Sequence, residues 1–289
     1  MGVQSMSDTF VGNRDIGDDQ TSFVPNLGFT KLYGLGGDDR LGTSINGLAY
    51  LEGGQGDDYL LVNWAGGTTT AEFYGGSGND RIQGGATEVG DAIYTGDGDD
   101  IVEQQPGGSG ADYIEGGRGR DALRGEEGDD AIFGGDGDDS GANITAGGVG
   151  VFGVSAAPGL FGGAGNDLLE GGLGNDLLDG GLGFDTYVGG QGNDIFDFNS
   201  AAESPKGALR DLILDFRQGD LIDVSGIDAI DGSGDDPFDF IGKKGFHDEA
   251  GELRFKGQKL RGDTDGDGVA DFEVKLDGIT KLKDADLNL

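Results

Sequence analysis

The chain has 289 residues, 64 of them glycine, and carries 55 acidic against 19 basic side chains for a net charge of −36. That charge argues against nucleic acid and anionic membrane as partners, and no stretch approaches the roughly 18 apolar residues of a membrane span. With no cysteine and one histidine, His247, zinc and copper centres lack ligands.

Residues 1–33 hold scattered apolar positions: Phe10, Val11, Phe23, Val24, Leu27, Phe29 and Leu32. A repeat stack has an open end that must be covered, so this segment reads as an N-terminal cap or as partly disordered. The opening MGVQSMSDTFVGNRD has no cationic flank before an apolar run, so no cleaved secretory signal is expected there.

From 34 to 197 a nine-residue unit recurs, clearest in GGAGNDLLE, GGLGNDLLD, GGLGFDTYV and GGQGNDIFD at 162–197. Glycine stands first, second and fourth, aspartate sixth, and a large apolar residue eighth. The sixth positions are Asp39, Asp58, Asp80, Asp91, Asp100, Asp112, Asp121, Asp130, Asp139, Asp167, Asp176, Asp185 and Asp194. Units 44–52 and 66–74 keep Leu51 and Phe73 but lack the aspartate. The apolar column fails at Gly141. Residues 143–161 carry no aspartate and place Val151 and Leu160 at eighth positions. They read as coils without a metal ladder or as a loop bulging from the stack, and the return to frame favours coils. The count is about seventeen units in about eight coils, a stack of about 40 Å.

Glycine at this density opposes helix, at about 1 kcal/mol per interior position, and suits turns that need special backbone angles. The first six residues are therefore expected to turn and the last three to form a very short strand. Two units close one coil, and stacked coils put Leu169 above Tyr187 on one side and Leu178 above Phe196 on the other. The aspartates then stack about 5 Å apart and repel. A hard divalent cation with six to eight oxygen ligands relieves this, and calcium fits better than magnesium. The expected ligands are the sixth-position carboxylates and the turn carbonyls of Gly54, Gly56, Gly76, Gly78, Gly108, Gly110, Gly117, Gly119, Gly163, Gly165, Gly172, Gly174, Gly181, Gly183, Gly190 and Gly192. Low hydrophobicity with high charge signals disorder, here conditional, because the free energy of metal binding becomes folding free energy.

Beyond 198 the composition shifts. In DLILDFRQGDLIDVSGIDAI (211–230), Leu212, Leu214 and Phe216 alternate before a turn at 218–220, then Leu221, Ile222 and Val224 follow. This reads as a β-hairpin. Phe238, Phe240, Ile241, Leu253 and Phe255 suggest further strands, and the chain closes on a strand through Phe272, Val274 and Leu276. Asp263, Asp265, Asp267 and Asp271, with Gly268, match positions of an EF-hand loop, but Val274 replaces its last glutamate. They form either a separate calcium site or an acidic hairpin turn.

The nonapeptide resembles the calcium-binding repeat of RTX proteins. DLILDFRQGDLIDVSGIDA, FIGKKGF, AGELRF and GDTDGDGVADFEVKLDG resemble the C-terminal domain of serralysin-type metalloproteases, over roughly 160–289. That resemblance implies a calcium-loaded parallel β-roll, export by type I secretion machinery, and an uncleaved export signal near the C-terminus. The final DADLNL is similar to that family's acidic-then-apolar ending, with Asn288 interrupting it. The family's catalytic domain needs HExxH and a further histidine, and this chain offers only His247 in GFHDEAG, expected at the surface or in the cap.

Ser155 in GVSAA is no nucleophile elbow, and no glycine loop continues into GK[ST]. Trp64 and Tyr59 read as an exposed sugar-binding patch or as packing at an aspartate-poor coil. The expectation is an all-β protein: a right-handed parallel β-roll over 34–197, an N-terminal cap over 1–33, and a β-rich capping domain with the secretion signal over 198–289. Its expected role is that of a secreted, calcium-binding, non-catalytic protein at a surface, in a matrix or in adhesion, with several calcium ions and an extracellular polysaccharide as partners. The alternative is an accessory or remnant module of a secreted metalloprotease or carbohydrate-active enzyme.

Overall fold

The computed structural model describes residues 8–11, 21–25, 29–44, 47–62, 70–85, 88–103, 109–140, 144–146, 154–156, 159–230 and 236–289. Gly108, Gly141, Val151, Trp64 and Leu27 lie outside them.

Successive strands alternate between two parallel sheets. One sheet takes Phe29–Tyr33, Leu48–Gln55, Thr70–Ser77, Ala92–Asp97, Tyr113–Arg118, Ala131–Asp136, Leu168–Leu173 and Thr186–Gln191 in that order. The other takes Arg40–Ser44, Tyr59–Val62, Arg81–Gln83, Ile101–Glu103, Ala122–Glu127, Gly159–Gly165, Leu177–Gly183 and Ile195–Asp197. This is the expected all-β parallel roll. Within residues 1–33, Asp8–Val11 and Thr21–Pro25 pair parallel with Phe29–Tyr33 and Arg40–Ser44, extending both sheets.

Side chains alternate across a strand, so the eighth residue of each unit points into the space between the sheets. Leu32, Leu51, Phe73, Ile93, Ile114, Ile132, Leu169 and Tyr187 form one interior column, and Leu41, Leu60, Ile82, Val102, Leu123, Leu160, Leu178 and Phe196 form the other. All are fully buried, each contributing about 1.5–3 kcal/mol.

Three expectations are corrected. The strand is longer than three residues: Leu168–Leu173 runs through its glycine pair, leaving Gly174, Asn175 and Asp176 as the turn. Glycine at these positions adopts angles other residues avoid, yet it still pairs with the neighbouring strand, as Gly172 does with Gly190. The favoured reading of 143–161 as coils gives way to the alternative of a segment leaving the stack, as its described residues show. Ile144–Ala146 and Val154–Ala156 pair antiparallel with each other, in a two-stranded sheet separate from the stack. The roll resumes where it left off, with Gly159–Gly165 against Ala122–Glu127.

The third correction concerns 211–224. Leu212–Ile213 and Leu221–Asp223 do not pair with each other. The first adds to Thr186–Gln191 and the second to Ile195–Asp197, both parallel, so together they make one more coil. The first sheet then continues through Phe272–Leu276, Lys259–Asp263, Glu252–Phe255 and Asp239–Gly242, turning antiparallel at Lys259–Asp263. Leu287–Asn288 ends the second sheet beside Leu221–Asp223. Phe198 joins roll and cap, its ring 5.8 Å from Tyr187 and 5.4 Å from Phe272.

Candidate metal centre

The alternation of strands separates the sixth-position aspartates into two columns, one along each edge of the roll. Asp39, Asp58, Asp80, Asp100, Asp121, Asp139, Asp176 and Asp194 stack along one edge. Asp91, Asp112, Asp130, Asp167 and Asp185 stack along the other. All thirteen expected aspartates are thus brought into ladders.

One contact repeats along both columns. The backbone N–H of each aspartate donates to Oδ1 of the aspartate in the following coil, for instance Asp39 N to Asp58 Oδ1 at 2.7 Å and Asp112 N to Asp130 Oδ1 at 2.7 Å. In eleven of the thirteen the other oxygen has no partner, while Asp91 Oδ2 accepts from Gly85 N at 3.3 Å. Oδ2 of Asp39, Asp58, Asp80, Asp100, Asp121, Asp130, Asp139, Asp167, Asp176, Asp185 and Asp194 is buried without a hydrogen bond. A buried, unpaired carboxylate oxygen costs several kcal/mol. Burial, aided by neighbouring carboxylates, pushes the Asp80 and Asp121 carboxyls up to about 9. Burial raises Asp58 and Asp139 to about 7 and Asp130 and Asp185 to about 6.

The orphaned oxygens occupy room that glycine provides. A Cβ on Gly53 would lie 2.2 Å from Asp58 Oδ2, and one on Gly162 would lie 2.3 Å from Asp167 Oδ2. The first glycine of each unit therefore makes space for the carboxylate five residues later. The second and fourth glycines serve the carbonyls. Gly54 O and Gly56 O sit where a Cβ on Gly76 or Gly78 would come within 2.1 Å, and Gly76 and Gly78 have φ of 117° and 124°. The same approach to the following coil holds for the carbonyls of Gly76, Gly78, Gly110, Gly117, Gly119, Gly163, Gly165, Gly172 and Gly174. The strand of Gly181 and Gly183 is followed by Ile195–Asp197 and that of Gly190 by Leu212–Ile213, and no glycine there makes the same approach to these carbonyls. Buried unpaired carboxylates beside glycine turns are a donor set of hard oxygens, suited to calcium.

Where a unit lacks aspartate, the ladder stops. Ala49 and Ala71 stand in register above Asp91, and Ala71 N donates to Asp91 Oδ1 at 2.8 Å. The N-terminal coils therefore carry carboxylates along one edge only.

Two members of the columns escaped the sequence reading. Asp185 N donates to Asp211 Oδ1 at 2.9 Å, and Asp194 N donates to Asp220 Oδ1 at 3.2 Å. Their spacing of nine residues and the repeated Asp-Leu-Ile were the available signal. Their second oxygens are held by the protein: Asp220 Oδ2 accepts from Arg217 N at 2.7 Å, and Asp211 Oδ2 accepts from the Tyr187 hydroxyl at 3.4 Å. Asp211 N is itself bound to Ser204 Oγ at 2.8 Å.

The fifth position also has a role. Asp57 N donates to Asp38 Oδ1, Asn79 N to Asp57 Oδ1, Asp99 N to Asn79 Oδ1, and Asn175 N to Asp138 Oδ1. A short side-chain acceptor is needed here, charged or not.

Outside the roll, one oxygen each from Asp263, Asp265 and Asp267 lies within 4.8 Å of the others. Their turn already uses them: Asp263 accepts from Gly266 N and Gly268 N, Asp265 from Asp267 N, and Asp267 from Val269 N. Asp271 accepts from Thr264. His247 lies at the surface, its Nδ1 2.5 Å from Glu252 Oε1. Tyr59 is buried, its hydroxyl bound to Gln83, with Arg81 over its ring.

The family described as the RTX calcium-binding nonapeptide repeat (4 copies) matches residues 66–87, 106–140 and 161–196. Among solved structures, the chain is similar to the R3 subunit of the AlgE6 mannuronan C5-epimerase from Azotobacter vinelandii. The identity is 32%, over 45% of this chain and 72% of that one, with a TM-score of 0.32. No curated protein matches the chain.

Proposed function

From a chain that carries RTX calcium-binding nonapeptide repeats, we infer a secreted, non-catalytic protein whose roll folds when calcium fills the two aspartate columns. The sixth-position aspartates are its ligands, with the turn glycine carbonyls beside them, and the coil of Asp211 and Asp220 closes both columns. The observation that carries this reading is the series of buried, unpartnered Oδ2 atoms, which recurs coil after coil. Without a cation these carboxylates oppose folding; with several calcium ions they hold neighbouring coils together. Extracellular calcium sites typically bind at about 0.1–1 mM, so the chain stays unfolded where calcium is scarce and folds outside the cell. Residues 198–289 cover the end of the stack and are the place for a type I export signal. A surface, matrix or adhesive role suits a roll whose stacked coils are held by calcium.

The test is far-UV circular dichroism during a calcium titration, with magnesium as control. A cooperative gain of β-structure at submillimolar to millimolar calcium, absent with magnesium, supports the reading. A β spectrum unchanged by thorough chelation would sink it.

A further inference from the structure

In a chain with nearly three acidic residues for every basic one, a cation without a carboxylate is unusual. The cap holds two around one cavity. A depression of about 230 Å³ is lined by Lys206, Phe246, Arg254, Arg261, Gly268, Val269 and Ala270, with no carboxylate among them. Arg261 is anchored, its Nε 2.6 Å from Glu273 Oε2, and Glu273 also takes Lys259. Arg254 and Lys206 have no carboxylate within ion-pair distance among the described residues. The Arg254 guanidinium stacks over the Phe246 ring at 4.9 Å, and its Nε is buried without a hydrogen-bond acceptor. That unpaired Nε is shared with Arg81 and Arg210, but those two are ion-paired to Glu103 and Glu273; the Arg254 guanidinium is not. Of the nearby acids, Asp263 and Asp271 accept from N–H groups of their own turn, and Asp248 stands at the rim beside Gly268.

We propose that this cavity binds the carboxylate of an acidic sugar, a uronate residue of an extracellular polysaccharide. Arg254 and Lys206 hold the carboxylate, with Arg261 adding positive charge. Phe246, Val269 and Ala270 supply an apolar wall for the C–H face of a pyranose ring, which a small inorganic anion would leave unused. Charge-assisted bonds from arginine to carboxylate are among the stronger hydrogen bonds. The proposal deepens the adhesive reading by naming its ligand class, and rests on that reading for where the chain meets such a polymer. Calcium-dependent folding is read separately by circular dichroism, so failure of one is distinguishable from failure of the other.

The experiment is calorimetric titration of the full calcium-loaded chain with tetragalacturonate, with maltotetraose as the neutral control and sodium sulfate as a competing free oxyanion. Expected are binding of the uronate, none of the neutral sugar, and weakening by about tenfold or more in R254Q and in K206Q. R254K retains more affinity than R254Q. Lys206 is exposed, so K206Q tests the site without disturbing the fold. Uronate binding that both variants leave unchanged would show attraction to the calcium-loaded roll instead and overturn the assignment. Equal binding of the neutral sugar, or binding of sulfate alone, overturns it as well.

Discussion

Asp57 and Asp58 are adjacent, yet their carboxylates serve opposite neighbours. Asp58 Oδ1 accepts from Asp39 N in the coil before, while Asp57 Oδ1 accepts from Asn79 N in the coil after. One contact needs only an acceptor. The other belongs to a group whose second oxygen is buried and unpaired. Asp57→Asn therefore leaves stability within about 0.5 kcal/mol, since Asn79 makes the same contact. Asp58→Asn removes a charged ligand and moves the calcium midpoint of folding upward several-fold. Parallel calcium titrations of the two variants check this, and equal midpoints would remove the distinction between fifth and sixth positions.

Gly162→Ala puts a methyl where Asp167 Oδ2 lies. A loss of about 1–3 kcal/mol is expected from overpacking, with fewer calcium ions bound at saturation. Denaturant unfolding in calcium gives the first quantity and calorimetric stoichiometry the second. Gly207→Ala is a useful contrast, because a Cβ there meets nothing within 4 Å, leaving only its backbone strain.

The pH dependence reverses with calcium. Burial raises the column carboxyls from 3.8 to between about 6 and about 9. The calcium-free folded state therefore binds more protons than the unfolded one, and its stability falls as pH rises through that window. In chelator, β-structure is greater at pH 5 than at pH 8. In calcium, protons compete for the ligands, so the folding midpoint shifts to higher calcium at pH 5. Circular dichroism titrations at both pH values test both signs, and a pH-independent spectrum in chelator would contradict the first.

Ser204→Ala removes the hydroxyl that accepts from Asp211 N and donates to Glu273 O at 2.8 Å. A loss of about 1–3 kcal/mol is expected, because a buried N–H is left unpaired. Weaker hydrogen-exchange protection of the amides of Asp185 and Thr186 would accompany it.

The interior columns were legible because one large apolar residue recurs every nine positions, and burial demands nothing more specific than that. The turn at 218–220 suggests a hairpin because alternating apolar residues look the same whether a strand pairs with its sequence neighbour or with the coil below. Only the nine-residue step from Asp211 to Asp220 distinguishes the two. The excursion after Asp139 was hidden by its length. The usual step of 18 residues between stacked aspartates becomes 37 from Asp139 to Asp176, so the insertion is close to one coil and the frame returns. The fifth-position ladder was invisible as a motif because Asp and Asn satisfy it equally. The cationic cavity joins residues from 206 to 270, a conjunction that only the fold of the cap brings about.

The direction of the aspartate contacts gives the stack an inheritance. Each sixth-position N–H is satisfied by the coil that follows it, and the last two, at Asp185 and Asp194, are satisfied by Asp211 and Asp220, which the cap already holds. A coil thus receives its pattern from its successor. Losing the cap would leave those two amides without acceptors, whereas losing the first coil would strand only a carboxylate oxygen that water can reach. Along this ladder order passes backward, opposite to the fifth-position ladder, and the residues nearest the C-terminus are the template for the sixth-position aspartates that precede them.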